Sequence, residues 1–136
     1  MSYGMAAALQ AAIYQRLSSD PGLTALVGEA IYDVVPAGQL PGTYVSLGPE
    51  EVRERSDKTA RGSDHLFTVS VVTDAAGFQH AKAVAGAVSD ALDGGAPAMA
   101  RGRIVSMHFL RARALRVAAA RNRRIDLTFR ARVEDE

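Results

Sequence analysis

A run of charged side chains in the middle of the sequence is the first candidate for chemistry. Residues 50–65 read EEVRERSDKTARGSDH and hold nine charged side chains and one histidine. Carboxylates this close in sequence can perform acid–base catalysis or bind a hard cation. The acids are Glu50, Glu51, Glu54 and Asp57. The basic residues interleaved with them are Arg53, Arg55, Lys58 and Arg61. Because the local charge nearly cancels, the pattern favours a charged loop that faces solvent or a partner over a catalytic or metal site.

The remaining motifs do not indicate an enzyme. None of the three histidines, His65, His80 and His108, has a histidine or an acid at the four-residue spacing of helical zinc motifs. The run Ser63-Asp64-His65 contains the residue types of a hydrolase triad, but adjacent residues of a strand point to opposite faces. No nucleophile elbow, phosphate-binding loop or dinucleotide fingerprint occurs. We therefore expect no catalytic residue, no metal ion and no cofactor.

The last third of the chain concentrates arginine. Residues 1–100 carry 6 basic and 11 acidic side chains, whereas residues 101–136 carry 10 arginines and 4 acids. Such an arginine cluster could bind the phosphates of a nucleic acid. It could equally pair with the acidic part of another copy of the chain. Aromatic residues that would stack on single-stranded bases make up only 6% of the chain. We favour contact between proteins and keep nucleic-acid binding as the alternative. The arginines are Arg111, Arg113, Arg116, Arg121, Arg123, Arg124, Arg130 and Arg132.

Length and composition predict one soluble domain that spans residues 1–136. A chain of 136 residues can bury roughly two-thirds of its unfolded surface. Its 48% of apolar and 23% of charged residues are ordinary for a globular protein. Because cysteine is absent, disulfides and thiolate metal sites are excluded. No apolar run approaches the roughly 20 residues of a membrane span, and no signal peptide is recognisable.

Two helices are predicted near the start. Residues 3–19 place apolar side chains at three- and four-residue spacing, with Ser2 as the candidate N-cap. A short second helix follows, with Asp20 as its cap and Pro21 at its first position. Gly28 is expected to end it.

A third helix is predicted over residues 75–93. Phe78, Ala81, Ala85, Val88 and Leu92 share one stripe there. Asp74 is the candidate cap, and the pair at positions 94 and 95 is a helix-ending glycine signal. A glycine in the middle of this helix, at position 86, is interpreted as allowing close approach to a sheet.

The remaining segments predict strands and set the fold class. Short strands are expected at residues 31–35, 43–48 and 65–73. Apolar and polar residues alternate strictly over residues 124–133, which indicates an antiparallel strand with one buried face. Residues 103–117 are its expected hairpin partner, with Phe109 on the same face as Arg111 and Arg113. The order predicts an α+β domain with a mostly antiparallel sheet, helices packed on one side, and a long C-terminal β-hairpin.

Several of these segments resemble a known family over nearly the whole chain. The stretch LTALVGEAIYD begins at residue 23, and a short strand ending in GPE precedes SDKT, RG and DH in the charged stretch. The closing segment reads RRIDLTFRARVE. Together they resemble the tail-terminator or tail-completion proteins of long-tailed phages, which also occur in prophages and gene transfer agents.

The resemblance implies structural work rather than catalysis. Such proteins form a ring, usually of six subunits, at the head-proximal end of the tail tube. The ring stops tube polymerisation and joins the tail to the head connector, and DNA passes through its channel without sequence-specific binding. The implied partners are further copies of the chain, the tail tube protein and a connector or stopper protein, without a membrane. The implied location is the bacterial cytoplasm during assembly, then the head–tail junction of a virion or gene transfer agent particle.

The charged stretch is accordingly predicted to be a docking loop. The residues expected to contact a neighbouring subunit or the tube are Glu50, Glu51, Arg53, Glu54, Arg55, Asp57, Lys58 and Arg61. Those expected at a ring interface or in the channel are Arg111, Arg113, Arg116, Arg121, Arg123 and Arg124. Two alternatives remain, a nucleic-acid-binding module that uses the arginine hairpin and a small enzyme that uses the acids of residues 50–57.

Overall fold

Within the described residues, three helices and five strands follow one another along the chain. The computed structural model describes residues 3–56, 61–93, 95–117 and 122–135. The elements are α1 (Ala6–Ser19), α2 (Pro21–Val27), β1 (Ile31–Tyr32), β2 (Thr43–Glu54), β3 (Arg61–Thr73), α3 (Gln79–Asp93), β4 (Arg103–Val117) and β5 (Asn122–Asp135). In the part of the chain that the structure describes, no helix has the length and hydropathy that a membrane span requires.

The strands form one sheet in the order β1-β2-β3-β5-β4. β1 runs parallel to β2, and every other pairing is antiparallel. The last two strands form the predicted C-terminal hairpin, with the pairing running from Arg103 opposite Glu134 to Val117 opposite Asn122. The predicted α+β architecture is therefore confirmed.

The core lies between one face of the sheet and the three helices. Apolar side chains at alternate positions of β3 and β5 are buried there, as the strict alternation of β5 predicts. The central ones are Phe67, Val69, Val71, Ile125, Leu127, Phe129, Ala131 and Val133. The helices contribute Leu9, Ile13, Leu17, Leu23, Val84, Val88 and Leu92. The other face of the sheet carries the polar residues of the same strands.

The short helix α2 forms as its sequence predicts. The carboxylate of Asp20 accepts a hydrogen bond from the backbone amide of Leu23 at 2.9 Å, and Pro21 occupies the first turn. Gly28 ends the helix with φ of 60°, which favours glycine. α1 begins only at Ala6 and has no side-chain cap; its predicted cap, position 2, lies outside the described residues.

Helix α3 differs from its predicted form at two points. It begins at Gln79, so Asp74 is not its cap; the amide of Asp74 instead donates to the carbonyl of Gly42 at 2.9 Å. Gly86 is exposed, and a Cβ there would meet no atom within 4 Å. The interpretation that Gly86 brings α3 close to the sheet is therefore wrong, because this side of the helix faces open space.

The two strands beside the charged stretch are longer than predicted. β2 continues to Glu54 and β3 begins at Arg61, so most of the predicted docking loop is strand. The strand pairing shifts register between Leu47 and Glu50. Because such a bulge changes which side chains share a face, the alternation of apolar and polar residues does not continue through it, and the sequence pattern did not predict the extension. β1, conversely, ends at Tyr32 rather than at residue 35.

β4 also contains register shifts, between Ile104 and Ser106 and between Phe109 and Arg111. Phe109 lies opposite Phe129, whereas Arg111 lies opposite Thr128, which is the residue next to Phe129 in β5. Because neighbouring strand residues point to opposite faces, Phe109 and Arg111 do too. The prediction that they share a face is therefore wrong.

Candidate functional site

The charged hairpin of β2 and β3 carries most of the predicted docking residues. Glu50, Glu51, Arg53 and Glu54 lie in β2, Arg55 follows it, and Arg61 opens β3. Positions 57 and 58, the predicted Asp and Lys contacts, lie outside the described residues. Except for Glu50, the described members of the set are exposed.

An ion pair and a hydrogen bond tie the turn end of this hairpin to the sheet. Arg55 Nε lies 3.3 Å from Asp64 Oδ2, and the side chain of Arg132 donates to the carbonyl of Arg55 at 2.8 Å. Further along β2, the exposed Arg53 Nε lies 2.6 Å from Glu51 Oε2. Exposed pairs of this kind contribute about 0–1 kcal/mol. Breaking these exposed ion pairs, so that their charges pair with another protein instead, therefore costs little free energy.

Glu50 belongs to a buried polar network that the sequence analysis missed. Its Oε2 lies 3.2 Å from His65 Nδ1, and His65 Nε2 lies 3.0 Å from Ser63 Oγ. The hydroxyl of Tyr3 donates to Glu50 Oε1 at 3.2 Å. The only local signal was the two-residue spacing of Ser63 and His65, which places both side chains on one strand face.

This network has the residue types of a serine hydrolase triad but not the access that such a triad needs. A carboxylate accepts, so His65 Nδ1 is the donor to Glu50, whereas the hydroxyl of Ser63 can either donate to Nε2 or accept from it. Ser63 is 2% exposed and His65 is 0% exposed, so no substrate can reach them. Asp64 lies on the opposite face, as predicted. The network therefore satisfies buried polar groups between β2 and β3.

The carboxylate of Glu50 also acts on the tyrosine at the start of the chain. Its negative charge, followed by the hydrogen bond it accepts, raises the pKa of Tyr3 above the ordinary value of 10.0. A carboxylate disfavours the phenolate because both are anions. The N-terminal segment is thereby linked to the base of the charged hairpin.

The arginines of the C-terminal hairpin divide between the two faces of the sheet. Arg111, Arg113 and Arg124 line a groove of about 480 Å³ on the face without helices, together with Asp126 and Thr128. Within it, Arg124 Nε lies 3.1 Å from Asp126 Oδ1. The groove is open and positively charged, as an anion or carboxylate partner would require.

The other face holds Arg116 and Arg123. The side chain of Arg123 donates to the carbonyl of Ala75 at 2.9 Å, and its guanidinium lies 5.5 Å from the centre of the Phe78 ring. Arg123 therefore supports the segment before α3 rather than a free surface. Arg116 is exposed beside it in the register. The predicted Arg121 lies outside the described residues.

Both outer strands leave backbone groups without a partner strand. β4 is the last strand of the sheet over its full 15 residues. At the other end, β1 pairs with β2 only at Val45 and Ser46, so β2 from Leu47 to Arg53 pairs with no described strand on its outer side. Open strand edges are templates for pairing with another chain.

Within the described ranges, no group of three or more His, Asp or Glu side chains could hold a metal ion. Of the acids of β2, Glu51 pairs with Arg53, and Glu50 contacts His65 and Tyr3. The geometry thus presents charged hairpins and open strand edges at the surface, and its one triad-like group is buried.

Comparison with known proteins agrees with this arrangement. The chain is similar to a chain in a structure titled "Virion of native gene transfer agent (GTA) particle", with 62% identity and a TM-score of 0.92. The match covers 98% of this chain and 99% of that one. No curated protein sequence gives a significant match. The profile of the family described as "Tail completion protein gp17" matches residues 11–134. The chain therefore belongs to the tail completion protein gp17 family of structural phage tail proteins.

Proposed function

We propose that this protein forms a ring, of six subunits, on the head-proximal end of a tail tube. The ring stops further polymerisation of the tube and joins the tail to the head connector. The observation that carries the proposal is the 62% identity, over nearly the full length of both chains, to a chain of a gene transfer agent virion. This likeness to a chain of an assembled particle supports a structural role for the chain in such a particle.

The geometry of the sheet supports the ring. A closed ring needs two different faces on each subunit, so that one subunit's first face meets the next subunit's second face. Here the two outer strands, β4 and the far half of β2, lie at opposite ends of one sheet. Both edges are open to pairing with a second chain, which is compatible with head-to-tail assembly.

The proposed partners follow from the position of the ring. One rim contacts the tail tube protein, and the charged β2–β3 hairpin, with its exposed Glu51, Arg53 and Arg61, supplies contacts to the tube or to a neighbouring subunit. The other rim contacts a connector or stopper protein. DNA passes through the channel without sequence-specific binding. The protein assembles in the bacterial cytoplasm and ends at the head–tail junction of the particle.

Deleting the gene in a particle-producing strain tests this function. We expect tails of uncontrolled length or tails that fail to join heads, seen by electron microscopy, and rescue by the intact gene. Normal tails on capsids in the deletion strain would contradict the proposal. Light scattering of the purified protein, over a range of concentration and salt, measures the subunit number directly.

A second function is favoured by one observation, the arginine-lined groove on the face without helices. Its Arg111, Arg113 and Arg124 could contact the phosphates of duplex DNA. Binding of this kind weakens steeply as salt rises. Filter binding or anisotropy with the intact protein and an Arg111→Ala/Arg113→Ala variant measures it. Absence of binding by the intact protein at low salt would exclude this function.

A further inference from the structure

An apolar groove lies between α3 and the far part of the C-terminal hairpin. Its volume is about 400 Å³, and its walls include Gly86 of α3 and Phe109, Ala112, Ala114 and Leu127 of the hairpin. The groove exists because three of these residues have little or no side chain, whereas Phe109 is large and remains 50% exposed. A Cβ at Gly86 would meet no atom within 4 Å, so the space beside this helix is open.

An apolar protrusion lies at the opposite end of the sheet. After β1 the chain leaves the sheet, and Asp33 accepts a hydrogen bond from the side chain of Gln10 of α1. Val34 follows directly and is 80% exposed, and Val35 is also exposed. Two adjacent exposed β-branched residues on an anchored segment expose apolar surface that a partner could bury.

The positions of the groove and the protrusion imply a head-to-tail contact. β1 and β4 are the two outermost strands of the sheet, so the protrusion and the groove cannot meet within one subunit. If the protrusion of one copy enters the groove of the next, the first copy still has a free groove and the second copy still has a free protrusion. Contacts of this heterologous kind repeat until a ring closes.

The charges of the two ends are complementary. Of the arginines of β4, Arg116 is exposed on the same face as Ala112 and Ala114, which line the groove, whereas Arg111 and Arg113 lie on the opposite face. At the contact itself, Lys82 lines the groove and Asp33 precedes Val34. Complementary charge brings unlike ends together, and it opposes pairing of two like ends.

We propose that Val34 and Val35 of one subunit insert into the apolar groove between α3 and β4 of the next subunit, and that this contact joins successive subunits of the ring. The inference rests on the proposed ring for its biological setting. It adds the occupant of the groove and the direction of assembly, which runs from the β1 end of one subunit to the β4 end of its neighbour.

The absence of cysteine allows a direct cross-linking test. Particles are produced with Val34→Cys/Gly86→Cys or with Val34→Cys/Ala114→Cys, which place the second thiol on either wall of the groove. After mild oxidation, a non-reducing gel should show a ladder of covalent multimers, because a disulfide forms only between closely placed residues. Val34→Cys/His80→Cys is the matched control, since His80 is exposed on α3 but does not line the groove.

A blocking variant provides the second measurement. Gly86→Leu fills the groove from a position where the added side chain meets open space, so folding is preserved, and Gly86→Ala is its control. We expect Gly86→Leu to reduce incorporation into particles at least about tenfold relative to Gly86→Ala, because the valines lose their site.

The outcomes separate this inference from the proposed function. A ladder from either groove pair but not from the control supports the contact. The proposed contact is overturned if particles incorporate both double-cysteine groove variants but show no ladder. It is also overturned if Gly86→Leu is incorporated as well as Gly86→Ala. The proposed ring can stand in either case. Normal tails in the deletion strain overturn the proposed function, whatever the cross-linking shows.

Discussion

Two rings of one aromatic cluster should differ sharply in their effect on stability. Phe129 is 2% exposed, stacks on Phe67 at 5.4 Å between ring centres, and meets the edge of Phe109 at 5.8 Å. Phe109, which lines the apolar groove, is 50% exposed. The two substitutions Phe129→Ala and Phe109→Ala remove the same atoms from neighbouring strands, so exposure is the main difference between them.

The expected magnitudes follow from burial. Phe129→Ala empties a closed site and should lower the free energy of unfolding by about 4 kcal/mol. For Phe109, burying half of a ring is worth about 1 kcal/mol, and the edge contact adds about 0.5–1 kcal/mol. Phe109→Ala should therefore lower the free energy of unfolding by only about 2 kcal/mol.

Urea unfolding followed by far-ultraviolet circular dichroism measures both values, since the chain has no tryptophan for fluorescence. With a slope of about 2 kcal/mol per molar, the midpoint should fall by about 2 M for Phe129→Ala and about 1 M for Phe109→Ala. The protein must be monomeric by light scattering, so that subunit contacts do not contribute. Equal losses, or a larger loss for Phe109→Ala, would refute the argument from exposure.

Three further substitutions test local features. Asp20→Ala should lower the free energy of unfolding by about 1 kcal/mol because the Leu23 amide loses its acceptor, and Asp20→Asn should lose much less; urea midpoints compare them. Gly86→Ala should raise the free energy of unfolding by up to about 1 kcal/mol, since alanine is the better helix former and the added Cβ meets no atom. A decrease in the free energy of unfolding would contradict the conclusion that the space beside Gly86 is open. Glu50→Gln should lower the pKa of Tyr3 towards 10.0, measured as phenolate absorbance against a Tyr3→Phe reference.

The same tyrosine predicts a pH dependence of stability. Because folding raises the pKa of Tyr3, its bond to Glu50 contributes fully below pH 10.0 and is lost as pH rises through the folded pKa. Glu50→Gln should reduce this alkaline loss. An unchanged alkaline profile in Glu50→Gln would show that the bond does not contribute to stability in solution.

The structure also separates two roles within the charged residues. Glu50, Arg123 and Arg132 bind groups of their own subunit and hold the hairpins in place. Arg111, Arg113 and Arg116 are exposed on an outer strand. Charge reversal in the second group should therefore impair assembly more than folding.

The sequence alone determined the features that depend on local physics. The alternation of β5 predicted its buried face, because side chains of a strand alternate whatever surrounds it. Asp20, Pro21 and Gly28 predicted the limits of α2, because capping depends on a few adjacent residues. The family resemblance was carried by such short segments too.

Only the tertiary structure decided how residues distant in sequence meet. The bulges in β2 and β4 shift the alternation, so the strand character of Glu50 to Glu54 and the separation of Phe109 from Arg111 were not predictable from local spacing. The network of Tyr3, Glu50 and His65 depends on strand pairing, which joins residues far apart in the chain. Likewise, the groove beside Gly86 exists only because α3 and the C-terminal hairpin pack without filling the space between them.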